Sequence, residues 1–305
     1  MYALLDFGDG RRLERFGPLL LDRPCPTTKR IPKLNPTAWN SADAVFVEEK
    51  NAAERGRWEP KTERGRNLST PWSVDFGTLT LELRTTPFGH VGAFPEQVEN
   101  WARIRTLLGE AAGRRSPPIR VLNLFAYTGG STLAAASVAE NIEVVHVDAA
   151  KNLLSWAKRN AELNGLQHKK IRWIAEDARK FVRRELKRNN RYNAVILDPP
   201  SYGHGPDGEV WKLTEHLPGL LDDLFRLIEK YPLFLLLTAH TPNIDLAAMF
   251  PGGCVEAPPM FLRAETGERL PMGNVVCLRI APRQSTNEIP NDLSQGPDAL
   301  LAQHL

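Results

Sequence analysis

The fold of this chain is decided by two apolar segments and the small residues between them. The first reads Arg120-Val-Leu-Asn-Leu-Phe-Ala-Tyr-Thr-Gly-Gly-Ser-Thr132, and the second reads Ile142-Glu-Val-Val-His-Val-Asp148. Each begins as an apolar run of strand length, but the first breaks at a Gly-Gly pair and the second ends on a carboxylate. The small residues from Ser131 to Glu140 predict a helix between them. Strand, glycine turn, helix, strand and acid follow one another in a nucleotide-binding βαβ unit.

The glycine turn argues against a dinucleotide or a nucleoside triphosphate as the ligand. It reads Tyr127-Thr-Gly-Gly130, without a G-x-G-x-x-G string and without a Walker lysine. A ligand that carries a ribose but no pyrophosphate fits better, and S-adenosylmethionine is the common one. Glycine lets the backbone approach such a ligand closely, and Asp148 at the strand tip can accept from two ribose hydroxyls. The alternative is a buried strand pair without a ligand, which does not explain why the acid and the glycines coincide.

The composition is that of a soluble globular protein with room for one large domain or two small ones. The 305 residues are 42% hydrophobic and 25% charged, with a formal net charge of +3. This mild excess of basic residues permits nucleic acid as a partner without demanding it. The three cysteines lie far apart, which argues against a disulfide framework or a zinc site and fits a reducing cytoplasm. We therefore expect a cytoplasmic protein without a signal peptide, a membrane span or a metal ion.

Residues 1–87 are predicted to form a small β-rich lobe. Short apolar pieces alternate there with glycine, proline and charged residues, and Asp9-Gly10 predicts a hairpin turn. Residues 44–47 and 79–84 are predicted strands, whereas the charged, proline-bearing residues 49–71 are predicted to be a surface excursion. Three tryptophans are interpreted as packing residues rather than base-stacking ones: Trp39, Trp58 and Trp72.

A linker segment over residues 88–118, with a helix from Glu96 to Leu108, leads into a larger domain over residues 119–282. Five βα units closed by an antiparallel hairpin predict an α/β, Rossmann-like, seven-stranded sheet with helices on both faces. Its strands are predicted at residues 120–125, 142–148, 171–174, 192–197, 233–238, 253–264 and 274–281. Further helices are predicted at residues 151–164, after residue 178 up to about residue 188, and at residues 213–230. Residues 283–305 are predicted to be a loosely ordered tail.

Three acids, Asp148, Asp177 and Asp198, each follow an apolar strand of the predicted sheet. Because the ends of parallel strands gather on one edge, the three carboxylates are expected to converge beside Gly129 and Gly130. A single acid at a strand end is usually a helix cap, but capping alone explains three in successive units poorly. A nucleoside needs one acid for the ribose, one acceptor for the adenine amino group, and a polar floor near the reactive atom.

The segment Asp198-Pro-Pro-Ser-Tyr202 is the sharpest signal in the sequence. Pro199 and Pro200 stiffen the backbone and remove two N–H donors, which leaves the Asp198 carboxylate and the Pro199 carbonyl as a row of acceptors. Such a row suits a target amine or ring nitrogen, and Tyr202 offers a flat face for a planar substrate. The alternative is a proline-rich turn with a packed tyrosine. Two histidines flank the segment as candidate bases or as ordinary loop residues, namely His204 and His240.

Together these segments resemble the class I S-adenosylmethionine-dependent methyltransferases. Within that superfamily they are similar to the bacterial 23S rRNA large-subunit methyltransferases, the cytosine-C5 and guanine-N7 enzymes, over about residues 85–282. The matching segments are Asn123-Leu-Phe-Ala-Tyr-Thr-Gly-Gly130, His146-Val-Asp148, Asn160-Ala-Glu-Leu-Asn-Gly165, Glu176-Asp177 and Asp198-Pro-Pro-Ser-Tyr202. Family members often carry an N-terminal PUA module before a β-rich lobe, and residues 1–85 here are expected to hold only the lobe.

The resemblance implies roles for single residues. Asp148 would hold the ribose and Asp177 the adenine edge, while Asp198 would border the cofactor and, with Pro199, Pro200 and Tyr202, face the substrate. The residues implied to wrap the methionine half of the cofactor are Phe125, Ala126, Tyr127, Thr128, Gly129 and Gly130. Glu96-Gln97 matches the first two positions of the family's Asp-Gln-Arg helix start, but Val98 replaces the arginine, so a methionine-carboxylate contact from this helix is not implied. Asn164 is expected to support the helix end.

The sequence also departs from the carbon-5 branch of that family. Methylation at cytosine carbon 5 requires a cysteine nucleophile, which in the related enzymes follows strand five, but here the stretch reads Leu237-Thr-Ala-His-Thr-Pro242. We therefore predict direct, metal-independent methyl transfer to a nucleobase nitrogen in rRNA or another RNA. The alternatives are the same fold acting on a small molecule or a protein, and a non-catalytic RNA-binding protein. A basic run between His168 and Arg191 is interpreted either as a phosphate track or as a solvated helix face.

Overall fold

The computed structural model describes residues 1–49, 55–114, 117–205, 208–228, 232–242, 244–250 and 255–279. The strands of these residues are β1 (Tyr2–Gly8), β2 (Arg11–Phe16), β3 (Leu19–Pro24), β4 (Ala44–Glu48), β5 (Gly56–Pro60), β6 (Trp72–Asp75), β7 (Thr80–Leu83), β8 (Ile119–Leu124), β9 (Ile142–Asp148), β10 (Ile171–Ala175), β11 (Ala194–Leu197), β12 (Tyr202–His204), β13 (Val210–Lys212), β14 (Phe234–Ala239), β15 (Pro259–Arg263) and β16 (Arg269–Arg279). The α-helices are α1 (Glu63–Arg66), α2 (Val98–Ala112), α3 (Gly130–Ala136), α4 (Lys151–Leu163), α5 (Ala178–Lys187) and α6 (Leu213–Leu227).

The larger sheet has seven strands in the order β10-β9-β8-β11-β14-β16-β15. The first five are parallel, and β16 and β15 complete the sheet as antiparallel strands. The predicted architecture is therefore confirmed, including the closing hairpin. The strand order reverses between β8 and β11, and ligands bind at the carboxyl ends of strands beside such a reversal.

Buried aliphatic and aromatic side chains cover both faces of this sheet. One cluster lies under α5 and α6 and includes Phe181, Leu221 and Leu237, all with no exposed surface. The cluster on the opposite face lies under α2 and α3 and includes Ile104 and Leu236. Burial on both faces explains why the central strands read as continuous apolar runs rather than as alternating ones.

The N-terminal lobe is a five-stranded sheet in the order β1-β2-β3-β4-β5, as the prediction of a β-rich lobe required. The hairpin between β1 and β2 turns at Asp9 and Gly10, which have φ values of 52° and 78°, so the predicted Asp-Gly turn is confirmed. The predicted surface excursion over residues 49–71 is wrong in part. Gly56–Pro60 pairs with β4, and the ring of Trp58 packs 5.3 Å from that of Phe46.

The lobe and the large sheet share one hydrophobic core. The same cluster contains Phe16 and Leu81 of the lobe and Trp101, Leu133 and Ala161 of α2, α3 and α4. The division of the chain at residues 87, 118 and 282 stays a prediction, because this core runs across the first of those boundaries.

Side-chain amides of α4 hold the β6–β7 hairpin against the large sheet. Asn160 Oδ1 accepts from Glu82 N at 2.8 Å, and the Asn164 amide accepts from Thr80 N at 2.9 Å and donates to Thr80 O at 2.6 Å. Asn164 also donates to Asn160 O at 2.7 Å, as its expected role at the helix end requires. Gly165 follows with a φ of 66°, the left-handed conformation that favours glycine after a helix.

Several predicted boundaries shift in the structure. Helix α3 ends at Ala136 rather than Glu140, since Ser137 caps it with an N–H bond to Leu133 O and a hydroxyl bond to Ala134 O. Strand β11 begins at Ala194 rather than at the predicted residue 192. The Tyr192 hydroxyl donates to buried Glu185 at 2.8 Å. The predicted tail at residues 283–305, the start of strand 253–264, and the end of helix 213–230 lie outside the described residues. None of the described helices is long and apolar enough to cross a membrane.

Candidate functional site

The strand register places the ends of five parallel strands at one level. Leu124 pairs with Val147 on one side and with Leu197 on the other. Val147 and Leu197 pair in turn with the next strands outward. The residues that follow at this level are Phe125, Asp148, Ala175, Asp198 and Thr238. The glycine turn after β8 therefore lies between the strands that end in Asp148 and Asp198.

The turn after β8 has an unusual backbone. Phe125 and Tyr127 have positive φ values of 54° and 49° without being glycine, and Gly129 has a φ of 94°. Such conformations are costly for residues with a Cβ atom, and they concentrate at ligand sites. Backbone hydrogen bonds hold the turn, from Ala126 N to Val147 O at 3.1 Å and from Gly129 N to Ala126 O at 3.0 Å.

Neighbouring residues fix the same turn from outside. The Thr128 hydroxyl donates to Gly92 O at 2.6 Å, and Asn160 Nδ2 donates to Thr128 O at 2.9 Å. Gly130 lies against the Trp101 ring so closely that a Cβ atom would stand 2.4 Å from a ring carbon. The shape of the turn is thus set by packing within the protein.

Asp148 is held by two backbone donors. Its Oδ2 accepts from Tyr127 N at 2.8 Å and its Oδ1 from Ala150 N at 2.9 Å. Burial raises the pKa of Asp148, and the two backbone hydrogen bonds oppose that rise. A carboxylate offers about four acceptor positions, and the described residues fill one on each oxygen, which leaves one open on each. Two adjacent acceptors match the two hydroxyls of a ribose, and Asp148 fits the cofactor role that the sequence predicts for it.

Asp177 is the N-cap of helix α5. Its Oδ1 accepts from Lys180 N at 3.0 Å, and Arg179 Nε lies 3.7 Å from the same oxygen. The capping alternative therefore accounts for one oxygen of this buried carboxylate. A contact of Asp177 with the adenine edge stays a prediction.

Asp198 is held by three side chains from two distant parts of the chain. Its Oδ1 accepts from the Thr238 hydroxyl at 2.6 Å, and its Oδ2 accepts from Gln97 Nε2 at 3.0 Å. His240 Nε2 lies 3.2 Å from Oδ1. The sequence named His240 as a flanking candidate and placed Gln97 in a helix-start motif, but it predicted neither of their contacts with Asp198. Thr238 gave one usable signal, because the strand predicted at residues 233–238 ends with it at the same sheet edge.

His240 lies between Asp198 and the β16 backbone. Its Nδ1 is 2.7 Å from Met272 O and 3.6 Å from Glu96 Oε1, and its ring is nearly parallel to that of Phe94 at 6.1 Å. Burial would lower the pKa of His240, but the neighbouring Asp198 and Glu96 carboxylates raise it to about 9. The two carboxylates therefore favour the protonated imidazole.

The other flanking histidine, His204, lies on the β12–β13 hairpin and not against Asp198. Its exposed ring meets the Tyr202 ring edge-on at 5.2 Å, and Tyr202 itself is 54% exposed. The predicted packed-tyrosine alternative is therefore not what the structure shows. Pro200 O accepts from Trp211 Nε1 at 2.7 Å. No donor among the described residues reaches the carbonyl of Pro199, and the role of this carbonyl and Asp198 as substrate acceptors stays a prediction.

A fully buried histidine lies on the Asp148 side of the site. His146 has no exposed surface, and its Nδ1 is 2.9 Å from the Thr132 hydroxyl. Its Nε2 has no hydrogen-bond partner among the described residues. Burial lowers the pKa of His146 to about 3, so this imidazole is neutral, in contrast with His240.

The two described cysteines lie away from Asp198 in the fold. Cys25 packs in the lobe with Leu4 and Phe7, and Cys277 pairs with Leu236 inside the sheet. Burial raises the pKa of Cys277, which disfavours the reactive thiolate. Cys254 lies outside the described residues.

The basic run on α5 is largely engaged within the protein. Arg184 pairs with Glu176, Arg188 with Glu185, and Arg183 approaches Asp223 at 3.8 Å. Arg179 donates to Val210 O at 2.9 Å. These contacts favour the solvated helix face over the phosphate track.

The fold and this site together define a class of protein. A seven-stranded sheet of this order, with a glycine turn after its first strand and an acid at the tip of the second, is the architecture of class I methyltransferases. The family model described as S-adenosylmethionine-dependent methyltransferase matches residues 99–263, more than half of the chain. The chain belongs to this family, and S-adenosylmethionine is its cofactor.

Individual relatives are similar over different lengths. The crystal structure of the SAM-dependent methyltransferase from Agrobacterium tumefaciens is 32% identical with a TM-score of 0.83, and the match covers 92% of this chain and 90% of that one. Ribosomal RNA large subunit methyltransferase I of Aeromonas hydrophila is 37% identical over 93 residues, 30% of this chain and 23% of the relative. Ribosomal RNA large subunit methyltransferase K of Neisseria meningitidis is 35% identical over 126 residues, 41% of this chain and 34% of the relative. The match thus spans about a quarter of the first of these two relatives and about a third of the second.

Proposed function

We propose that this methyltransferase acts on a nitrogen of a nucleobase in RNA, with ribosomal RNA favoured, by direct transfer without a covalent enzyme adduct. The observation that carries the proposal is the acceptor pair at Asp198 and Pro199. Gln97, Thr238 and His240 fix the Asp198 carboxylate, and the Pro199 carbonyl has no donor among the described residues. A nitrogen that carries hydrogens can be oriented by these two acceptors.

On the cofactor side, Asp148 would bind the two ribose hydroxyls with its open acceptor positions. Asp177 would meet the adenine edge with the oxygen that does not cap α5. The turn over residues 125–130 would enclose the methionine half, which needs a backbone without bulky side chains at Gly129 and Gly130. Bound S-adenosylmethionine supplies a methyl group on an activated sulfonium, so the protein's task is alignment and exclusion of water.

On the substrate side, Asp198 and Pro199 would aim the nitrogen lone pair by accepting from its hydrogens. Tyr202 would stack on the base, because its ring is 54% exposed at the end of the same segment. Pro200 contributes stiffness rather than a polar contact, since its carbonyl is occupied by Trp211.

The choice of RNA rests on two further supports. The similar segments of the Aeromonas hydrophila and Neisseria meningitidis proteins belong to enzymes named for ribosomal RNA. An exposed tyrosine beside the site suits an unpaired base, because single-stranded bases are recognised by stacking. An RNA substrate also implies a cytoplasmic location.

The direct test compares ribosomal RNA nucleosides from cells with and without the gene by mass spectrometry. We expect one N-methylated nucleoside to disappear, and purified protein with methyl-tritiated S-adenosylmethionine to restore it in the deficient RNA. If the tritium label enters protein or small molecules of a cell extract but never RNA, the proposal is contradicted. That result would favour a methyltransferase of the same fold that acts on a small molecule or a protein. A covalent adduct with 5-fluorocytosine-containing RNA would move the chemistry to carbon 5.

A further inference from the structure

The geometry around Asp198 points to a second residue with a part in methyl transfer. We propose that His240 is a positioning residue, whose doubly protonated ring fixes Asp198 and leaves that carboxylate one open acceptor for the substrate. The inference rests on the proposed function only in that Asp198 meets the substrate. The charge state of His240 can be tested without any substrate.

Both ring nitrogens of His240 face oxygen acceptors. Nδ1 lies 2.7 Å from Met272 O, and a backbone carbonyl can only accept. Nε2 lies 3.2 Å from Oδ1 of Asp198, and an ionised carboxylate can likewise only accept. An imidazole placed between two such acceptors satisfies both only when both nitrogens carry a proton.

A neutral ring would need a donor for Nε2, and the one candidate at hand is engaged elsewhere. Gln97 Nε2 lies 3.4 Å from His240 Nε2. Its two hydrogens have nearer acceptors, Asp198 Oδ2 at 3.0 Å and the Thr238 hydroxyl at 3.1 Å. The orientation of the Gln97 amide follows from its own oxygen, which accepts from Asn100 Nδ2 at 2.9 Å. The protonated ring is therefore the consistent state.

Counting acceptor positions shows what the proton does. A carboxylate has about two positions on each oxygen. The Thr238 hydroxyl takes one position on Oδ1, and the protonated His240 Nε2, 3.2 Å from the same oxygen, would take the other; Gln97 takes one position on Oδ2. No second donor among the described residues reaches Oδ2, so one position there stays open for the substrate. Without the His240 proton a second position would open on Oδ1, and Asp198 could meet the substrate in more than one orientation.

The charges that face His240 favour this state. They are the Asp198 and Glu96 carboxylates. The imidazole of His90 lies beyond the Phe94 ring with its pKa lowered to about 4, and the Met272 carbonyl of β16 faces Nδ1. Burial raises the pKa of Glu96. Asp198 and Glu96 outweigh the burial of His240 and raise its pKa to about 9. His240 is therefore expected to carry both protons and hold Asp198 at neutral pH, and to lose one proton as the pH rises through about 9.

The charge state can be read by ¹⁵N nuclear magnetic resonance of the histidine rings in the full-length protein, with His240→Gln to assign the signal. We expect both His240 nitrogens to be protonated at pH 7.5 and to lose a proton near pH 9. In Asp198→Asn the transition should move down by more than about one pH unit, because the carboxylate is the main source of the upward shift. A neutral His240 at pH 7.5, or a transition unmoved in Asp198→Asn, would overturn the proposal.

A second experiment measures methyl transfer from tritiated S-adenosylmethionine to ribosomal RNA of cells lacking the gene. His240→Gln should lower kcat by about tenfold to a hundredfold with unchanged affinity for S-adenosylmethionine, and its rate should no longer fall at high pH. The control His168→Gln, on an exposed loop before β10, should behave as wild type. Wild-type kcat and pH profile in His240→Gln would refute the positioning role. Failure of the wild-type protein to label RNA would instead refute the proposed function, and the resonance measurement would still decide the charge state.

Discussion

The two carboxylates of the site are held in different ways. Asp148 accepts from two backbone N–H groups, the more distant of which, Tyr127, is 21 residues away in sequence. Asp198 is held by side chains, and those of Gln97 and Thr238 lie 101 and 40 residues away. The proposed cofactor half, around Asp148, is thus built by the local geometry of one βαβ unit. The proposed substrate half, around Asp198, is assembled by long-range side-chain contacts, so single substitutions should affect it without disturbing the other half.

The largest effect is expected from Asp198→Ala. Removing the carboxylate takes away the proposed substrate acceptor and leaves Gln97 and Thr238 without their partner, so transfer to RNA should fall at least about a hundredfold. Affinity for S-adenosylmethionine, measured by calorimetry, should stay within about threefold. If cofactor affinity is lost as completely as transfer, the separation into two halves is wrong.

A stability comparison tests whether the turn of the cofactor half is shaped by packing. Gly130→Ala would drive a Cβ atom into the Trp101 ring, and such overpacking costs about 1–3 kcal/mol. The matched variant is Gly109→Ala in helix α2, where a Cβ atom would meet only Val138 at 3.8 Å. That variant should gain about 0.5–1 kcal/mol. Urea unfolding measures both, and equal effects would show that Trp101 does not constrain the turn.

Thr238→Val tests a single contact of the substrate half. The substitution keeps the volume of a buried side chain and removes the hydroxyl that donates to Asp198. We expect kcat to fall about tenfold, in line with a charge-assisted hydrogen bond of about 1.5 kcal/mol. Thr28→Val in the lobe is the control, because this hydroxyl is also buried and bonds only backbone oxygens. An equal loss of activity in both variants would point to a general packing defect.

His146 and His240 should give the two halves opposite pH dependence. His146 has a pKa of about 3, below its ordinary value of 6.5, so the unfolded chain binds a proton that the native protein refuses. The contribution of neutral His146 to the stability of the native protein is therefore lost as the pH falls below 6.5. His240 has a pKa of about 9, so the native protein holds a proton that the unfolded chain releases, and stability is lost as the pH rises from 6.5 through 9.

Urea unfolding over pH 5 to 10 checks these signs. Each histidine should contribute a slope of at most about 1.4 kcal/mol per pH unit. His146→Gln should flatten the acid side of the curve and His240→Gln the alkaline side. The assignment fails if either substitution flattens the opposite side.

The same contrast explains what the sequence could predict. The strand, the glycine turn and Asp148 follow from patterns within thirty residues, and the structure places them as expected. The Gln97–Asp198 contact depends on how the first turn of α2 docks on the sheet edge, which no local pattern encodes. Strand β5 was missed because its charged residues conceal the alternation that places Trp58 against Phe46. The acid pattern alone also could not show that Asp177 caps a helix.

The central claim is that Asp148 serves the cofactor and Asp198 the substrate. Calorimetric titration of S-adenosylmethionine into Asp148→Ala and Asp198→Ala, each checked for folding by circular dichroism, tests it most directly. Loss of the charge-assisted ribose contact should cost about 1.5–3 kcal/mol, so Asp148→Ala should bind at least about tenfold more weakly than wild type. Asp198→Ala should bind about as tightly as wild type. Unchanged affinity in folded Asp148→Ala, or a larger loss in Asp198→Ala, would contradict the account.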